Sequence, residues 1–241
     1  MTYGSLFSGI GGIDLGLDRA GWTCKWQVEI DPYASLVLAR HWPDVPRHED
    51  ITKLTGRELE SVDLIAGGFP CQDISYAGYG AGLDGARSGL WREFARIIRV
   101  VGPRFVLVEN VPALLIRGMG EVLGTLADLR FDAEWSCLSA CSLGETHMRR
   151  RVFIVAYSNR VEWPEGVRDR IARAFRPLQE VDSFESARAG ARKRLENPSE
   201  LYRGADGVPY AMERNHGLGN AVVPQVAEWI GKRILAFDQQ Q

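Results

Sequence analysis

Two short runs made only of apolar residues, Phe105-Val106-Leu107-Val108 and Val152-Phe153-Ile154-Val155-Ala156, constrain this chain more than any other feature of it. Such runs are short for a helix and read as strands buried on both faces, the condition of inner strands in a parallel sheet. Two covered faces require helices, and the first 157 residues supply them in alternation. A strand ends at Leu6-Phe7, and helical spacing from Ile13 to Ala20 stops at Gly21. Trp26, Val28 and Ile30 alternate within a strand over Thr23–Ile30, and Pro32–His41 reads as a helix. Asp63–Ala66, Arg104–Val108 and Arg151–Ala156 are further strands, with a helix opening at Leu90. Strands alternating with helices predict an α/β fold, Rossmann-like and doubly wound on a mostly parallel sheet.

The texture changes after Tyr157. Residues 158–215 hold few apolar runs, many arginines, and prolines at 164, 177, 198 and 209, which predicts a small inserted lobe. Within 216–241, Val222, Val223, Val226, Trp229, Ile230, Ile234 and Leu235 mark an amphipathic helix over Ala221–Phe237, expected to pack back on the domain of residues 1–157. A formal net charge of −2 excludes a generally basic nucleic-acid coat, so any contact with a polyanion must come from local patches. No apolar run approaches the roughly 20 residues of a membrane span. The start, Met-Thr-Tyr-Gly-Ser, lacks a basic region followed by an apolar stretch, and a cytoplasmic protein is expected. Four cysteines without a CxxC pair make neither a disulfide scaffold nor a zinc site, and no metal is expected. Cys24, Cys137 and Cys141 read as buried structural thiols.

Four clusters carry chemistry. Phe7-Ser8-Gly9-Ile10-Gly11-Gly12 lies between a strand and a helix, where glycines let a ligand approach the helix N-terminus. Glu29 ends the second strand, where a carboxylate can accept from both hydroxyls of a ribose, and Asp50 ends a third β-type stretch. Asp14 stands where a dinucleotide fingerprint has its last glycine, so the turn alone is either a generic nucleoside site or simply a tight turn. Gly67-Gly68-Phe69-Pro70-Cys71-Gln72 follows a strand, and a thiolate there is either a nucleophile or a buried structural cysteine. The glycines at 78, 80, 82, 85 and 89 suit a closing lid. Glu109-Asn110-Val111-Pro112 brings a second carboxyl to the same sheet edge, as a proton donor with a raised pKa or as a charge at a helix N-terminus. Before the last strand, Arg149 and Arg151 can point to one side and anchor a phosphate or a base edge; a solvated charge run is the plainer alternative.

The order of these motifs, closed by Gly219-Asn220-Ala221-Val222-Val223-Pro224, closely resembles the DNA (cytosine-5)-methyltransferase family over residues 3–157 and 216–237. The resemblance implies S-adenosyl-L-methionine as methyl donor and S-adenosyl-L-homocysteine as product. Phe7, Gly9 and Gly11 match the donor-binding motif, Glu29 the ribose ligand, Ile30 its neighbour at the adenine, and Asp50-Ile51 the adenine-edge contact. Gly68, Pro70, Leu90, Asn220 and Ala221 match further positions of the donor pocket. Cys71 matches the nucleophile, Glu109 the group assisting at cytosine N3, and Arg149 and Arg151 the pair that orients the base and the thiolate loop. Gln72, Ser75 and Asn110 are expected on the substrate side.

The partner implied is double-stranded DNA, with a cognate restriction nuclease as a companion and a monomer as the default state. His147 stands where the family usually has glutamine; it can still hydrogen-bond, and activity is expected to survive. Arg168, Arg170 and Arg173 nearly share a helical face suited to a phosphate backbone. The lobe is short for the family, which predicts a short or relaxed recognition sequence and suits a phage or prophage enzyme that protects DNA. Three other readings compete. An RNA substrate would bring the Cys-Phe-Thr signature of the tRNA-modifying branch, which the chain lacks. A catalytically silent DNA-binding homologue would not need Cys71, Glu109, Arg149 and Arg151 intact. A nicotinamide oxidoreductase has no use for Pro-Cys-Gln.

Overall fold

The computed structural model of the chain describes residues 1–70, 89–140, 149–163 and 221–238. Its centre is a seven-stranded sheet in the order β3-β2-β1-β4-β5-β7-β6. The strands are β1 (Thr2–Leu6), β2 (Thr23–Val28), β3 (Arg47–His48), β4 (Leu64–Gly68), β5 (Phe105–Asn110), β6 (Phe131–Ser139) and β7 (Arg150–Ser158). The helices are α1 (Gly12–Ala20), α2 (Pro32–His41), α3 (Gly89–Val101), α4 (Leu114–Arg117), α5 (Met119–Asp128) and α6 (Pro224–Asp238). β1 to β5 pair in parallel, and β7 runs antiparallel to both of its neighbours. Among the described residues, no helix is long and apolar enough to cross a membrane.

Alternation along the inner strands builds two cores. Val106 and Val108 of β5 join Ile65 and Ile154 in a cluster with Trp91, Phe94, Ile97 and Ile98 of α3 and Val122 and Leu126 of α5. Phe105 and Leu107 point the other way and join Leu64, Ala66, Phe153 and Val155 with Ile13 and Leu17 of α1 and Val226, Ile230 and Ile234 of α6. Both faces of the sheet are thus covered, as the two wholly apolar runs require.

Small residues let α6 approach α1 closely. A Cβ on Gly12 would stand 2.3 Å from the Val222 carbonyl oxygen, and one on Gly16 would stand 2.3 Å from that of Pro224. From the opposite helix, a Cβ on Gly231 would meet Ala20 and Leu17 at 3.0 Å. Trp22 closes the far end by donating its indole N–H to the Gly231 carbonyl at 3.1 Å.

The element boundaries differ from expectation in ways that matter for chemistry. β5 runs on through Glu109 and Asn110, which pair with Phe153 and Val152, so the carboxyl sits within the sheet and not beyond it. β2 stops at Val28, because Glu29 turns out of the sheet to accept backbone N–H groups on both of its oxygens. β3 has only two residues; Asp50 lies past its end and caps a single 3₁₀ turn over Ile51–Lys53. α6 starts at Pro224, three residues later than the periodicity suggests, since proline fits the first turn of a helix and ends the extended approach. Cys24 and Cys137 are half-buried rather than fully buried. Cys141 lies outside the described residues.

Candidate active site

The strand order reverses between β1 and β4, and the crevice at their carboxyl ends is where open α/β sheets take ligands. The first wall is the glycine turn. Phe7 leaves β1 with φ 53°, and Gly9 and Gly11 follow at 55° and 84°. A left-handed phenylalanine is costly and persists only where its surroundings hold it. Here Phe94 flanks the ring, with centroids 6.2 Å apart, and the Ser8 N–H donates to the Val28 carbonyl at 3.2 Å.

Glu29 forms the second wall. Its Oε2 accepts from the Gly9 N–H at 2.6 Å and its Oε1 from the Asp31 N–H at 2.8 Å. Burial raises its pKa above the usual carboxylate value, and those two N–H donors work against the rise. A carboxylate offers about four lone-pair sites, so roughly two remain for a ligand's hydroxyls. Asp31 also caps α2 by accepting from the Ala34 N–H at 2.7 Å, fixing the backbone that holds Glu29. Beside it, Ile30 is 69% exposed, a large apolar side chain left open at the rim.

Asp50 and Ile51 make the far wall. Asp50 accepts from the Thr52 N–H and hydroxyl at 3.0 and 2.7 Å, and these bonds hold its carboxyl below the ordinary value. Ile51 is buried, and its carbonyl accepts from Arg96 Nη2 of α3 at 2.8 Å.

On the sheet edge, Glu109 lies beside Gly68 in register. A Cβ on Gly68 would come within 2.5 Å of Glu109 Oε2, so the missing side chain is the space the carboxyl occupies. Glu109 is 8% exposed, and its Oε1 is 3.0 Å from Arg151 Nε. Burial pushes its pKa up to about 7, against the opposing pull of the Arg151 and Arg149 charges. Asn110 is buried and donates to the Phe69 carbonyl at 3.2 Å, tying β5 to the segment that leaves β4.

These walls enclose about 480 Å³, within the range of small-molecule sites. Of the residues the sequence singles out, Phe7, Gly9, Glu29, Ile30, Asp50, Ile51, Gly68, Pro70, Leu90, Glu109, Asn110, Arg151 and Ala221 line this one cavity. Gly11 does not; it is the N-cap of α1. Arg149 bears on the cavity through its charge on Glu109. Cys71, Gln72, Ser75, His147, Arg168, Arg170, Arg173 and Asn220 lie outside the described residues, as do the glycines from 78 to 85. The cavity also takes Asp31, which no motif named, and Phe69 and Val222, which stand in quoted motifs without an assigned role. Asp31-Pro32 is a helix-start signal that could have located the first of these.

Seven strands in this order, one of them reversed, with a cavity of about 480 Å³ at the switch point, define a methyltransferase-type α/β protein. A family model for C-5 cytosine-specific DNA methylase matches residues 1–203, and the chain belongs to that family. It is 40% identical over 160 residues to the Type II methyltransferase M2.BsuMI of Bacillus subtilis (strain 168), covering 63% of this chain and 41% of that protein. With the Type II methyltransferase M.NgoBI of Neisseria gonorrhoeae it shares 33% identity over 182 residues, covering 73% of this chain and 56% of that protein. The chain thus spans about half the length of the curated relatives it matches. The solved structure of the Entamoeba histolytica methyltransferase EhMeth superposes with a TM-score of 0.61 at 12% identity, over 100% of this chain and 99% of that one, a likeness of fold alone.

Proposed function

We propose that the chain transfers a methyl group from S-adenosyl-L-methionine to carbon 5 of a cytosine in double-stranded DNA. The observation that carries this reading is Glu109: a buried carboxyl with a pKa near 7, paired to Arg151, in the same cavity as the ribose-type acceptor Glu29. The cavity fits the donor by its chemistry. Glu29 keeps free lone pairs for the ribose, Ile30 and Ile51 offer apolar surface to the adenine, and the turn before α1 suits the polar end. When bound, the donor supplies an electrophilic methyl group.

The remaining work falls to side chains of this chain. Carbon 5 of cytosine is a poor nucleophile. The Cys71 thiolate adds at carbon 6, forming a carbon–sulfur bond, while Glu109 protonates or hydrogen-bonds N3; the ring electrons then make carbon 5 nucleophilic. Once carbon 5 is methylated, loss of its proton and elimination of the thiolate release 5-methylcytosine. Pro70, the residue before Cys71, lines the cavity together with Glu109, which supports the pairing of the two groups. Arg151 orients Glu109, and Arg149 adds positive charge on the same side. Reaching both faces of the base requires it to leave the stack, at a cost of a few kcal/mol. Arg168, Arg170 and Arg173 are proposed phosphate contacts.

Cytosine-methylation sequencing of DNA from cells expressing the chain, beside a Cys71→Ser variant, tests this reading. Methylation in one sequence context, absent in the variant, is the expected result. Methylation that persists in Cys71→Ser overturns the covalent step. An active donor-binding chain that modifies RNA and leaves DNA unmodified overturns the substrate.

A further inference from the structure

The glycine turn at the mouth of the cavity is backed by an indole that does not itself line the cavity. Trp42 is the C-cap of α2. A Cβ on Gly11 would lie 2.5 Å from Trp42 Cζ3 and 2.6 Å from Cη2, so the six-membered ring presses on the N-cap of α1. At its other end, Trp42 Nε1 donates to Asp18 Oδ2 at 2.6 Å. Gly11 and Asp18 are seven residues apart, two turns along α1, and the indole lies lengthways between them.

Both ends of this strut are fixed. The second oxygen of Asp18 accepts from the Tyr3 hydroxyl at 2.9 Å, and Tyr3 is fully buried in β1. The backbone of Trp42 is held by its N–H on the Leu38 carbonyl at 2.8 Å and by Arg47 Nη1 on its own carbonyl at 2.6 Å. Leu38 completes the surface under Gly11, 3.1 Å from the same Cβ position.

We propose that Trp42, clamped by Asp18, is a positioning residue for the methyl donor: it holds the Ser8–Gly12 turn, left-handed at Gly9 and Gly11, in the geometry whose Gly9 N–H fixes the Glu29 carboxylate at the cavity wall. The inference rests on the donor reading above. A turn of glycines has many alternatives in solution, and a rigid aromatic plate beneath one of them removes that freedom before the ligand arrives. Asp18 matters because a tryptophan at the end of a helix has other rotamers, and its single N–H selects one.

Binding of S-adenosyl-L-homocysteine by isothermal titration to wild type, Trp42→Phe, Asp18→Leu and Asp18→Asn provides the test, with steady-state kinetics on the same four proteins. Trp42→Phe keeps a ring and loses the N–H; Asp18→Leu removes the acceptor. Both are expected to weaken binding by about fivefold to tenfold, the worth of one hydrogen bond and its ordering. The donor KM should rise in step, while the KM for DNA and the kcat at saturating donor move by less than about twofold. Asp18→Asn is the rescue: its Oδ1 still accepts from Trp42, and its amide can donate to the Tyr3 oxygen once the hydroxyl proton turns wholly to the Asp14 carbonyl, 3.2 Å away. It should bind nearly as wild type.

Wild-type binding with all three variants unchanged overturns the role of Trp42 and leaves the donor reading standing. Asp18→Asn falling as far as Asp18→Leu overturns the clamp, and the two Asp18 variants decide it even if Trp42→Phe does not fold. A wild-type chain that binds no S-adenosyl-L-homocysteine overturns the donor reading itself and this inference with it.

Discussion

A carboxyl that gives a proton near neutrality has to be kept from ionising some two to three pH units earlier, and Glu109 shows the opposing causes. Burial penalises its anion, while Arg151 at 3.0 Å and the charge of Arg149 favour it, and the balance falls at about 7. If the protonated form assists at N3, the Glu109 factor in the rate should be level below pH 7 and fall about tenfold per unit above it, a limb set against the thiolate fraction of Cys71, which rises with pH. Glu109→Gln removes the titration, so its profile should lose that limb while the rate drops by roughly 10²–10⁴. Arg151→Met removes a positive neighbour, so the limb should move to higher pH. Single-turnover rates between pH 5.5 and 9 check all three, and a limb that survives in Glu109→Gln assigns the titration to another group. The sequence pointed to this carboxyl through its place after an apolar run. It could not show that Gly68 supplies the room for it, because that fact depends on the register of β4 against β5.

At the scale of elements, the contact between α1 and α6 leaves no room for an added methyl group. Gly16 faces the backbone oxygen of Pro224, and a backbone atom cannot swing aside as a side-chain end can. Gly16→Ala should therefore push the helices apart and destabilise the chain by about 1–3 kcal/mol, despite the better helix propensity of alanine. The gap would extend to Val222, which both abuts Gly12 and lines the cavity, so donor affinity should fall too. Urea unfolding followed by circular dichroism checks the first effect; a midpoint at or above wild type would show that the contact has slack.

The inner strands are legible in sequence because burial on both faces leaves them wholly apolar. β6 escapes that search: Phe131, Ala133 and Cys137 pack on the core and alternate with Asp132, Glu134 and Ser136, while Trp135 is left exposed, as suits an edge strand only partly covered. α5 is similarly masked, since Gly120 and Gly124 interrupt the stripe of Met119, Val122 and Leu126 that it buries. Its periodicity survives only at three positions.

For the molecule as a whole, the carboxyls divide into two sets that act in different pH windows. Asp14 is fully buried, accepting from Ser5 Oγ at 3.1 Å and Gln27 Nε2 at 2.9 Å, and burial still pushes its pKa up to about 6. With Glu109 at about 7, the native chain holds two protons that the unfolded chain has already released between roughly pH 4.5 and 6. A raised carboxyl stabilises fully below its unfolded pKa and loses that contribution as pH rises through its folded one. These two should therefore make stability decline by a few kcal/mol from about pH 4.5 to 7 and then level off. Asp50 and Glu58 act with the opposite sign: the Thr52 and Thr55 donors depress them, and their contribution is present above the unfolded pKa and lost only at more acid pH. The windows do not overlap, so the decline above pH 4.5 belongs to the carboxyls that burial raises, Asp14 and Glu109 together with Glu29. Urea midpoints measured at pH 5 and pH 7.5 on the ligand-free chain should fall between those values for wild type. The difference should shrink in Asp14→Asn, whose amide cannot titrate, and shrink again when Glu109→Gln is added. Equal midpoints in wild type would mean that neither carboxyl is held protonated, and the proton that Glu109 is asked to supply near neutrality would then have to come from elsewhere.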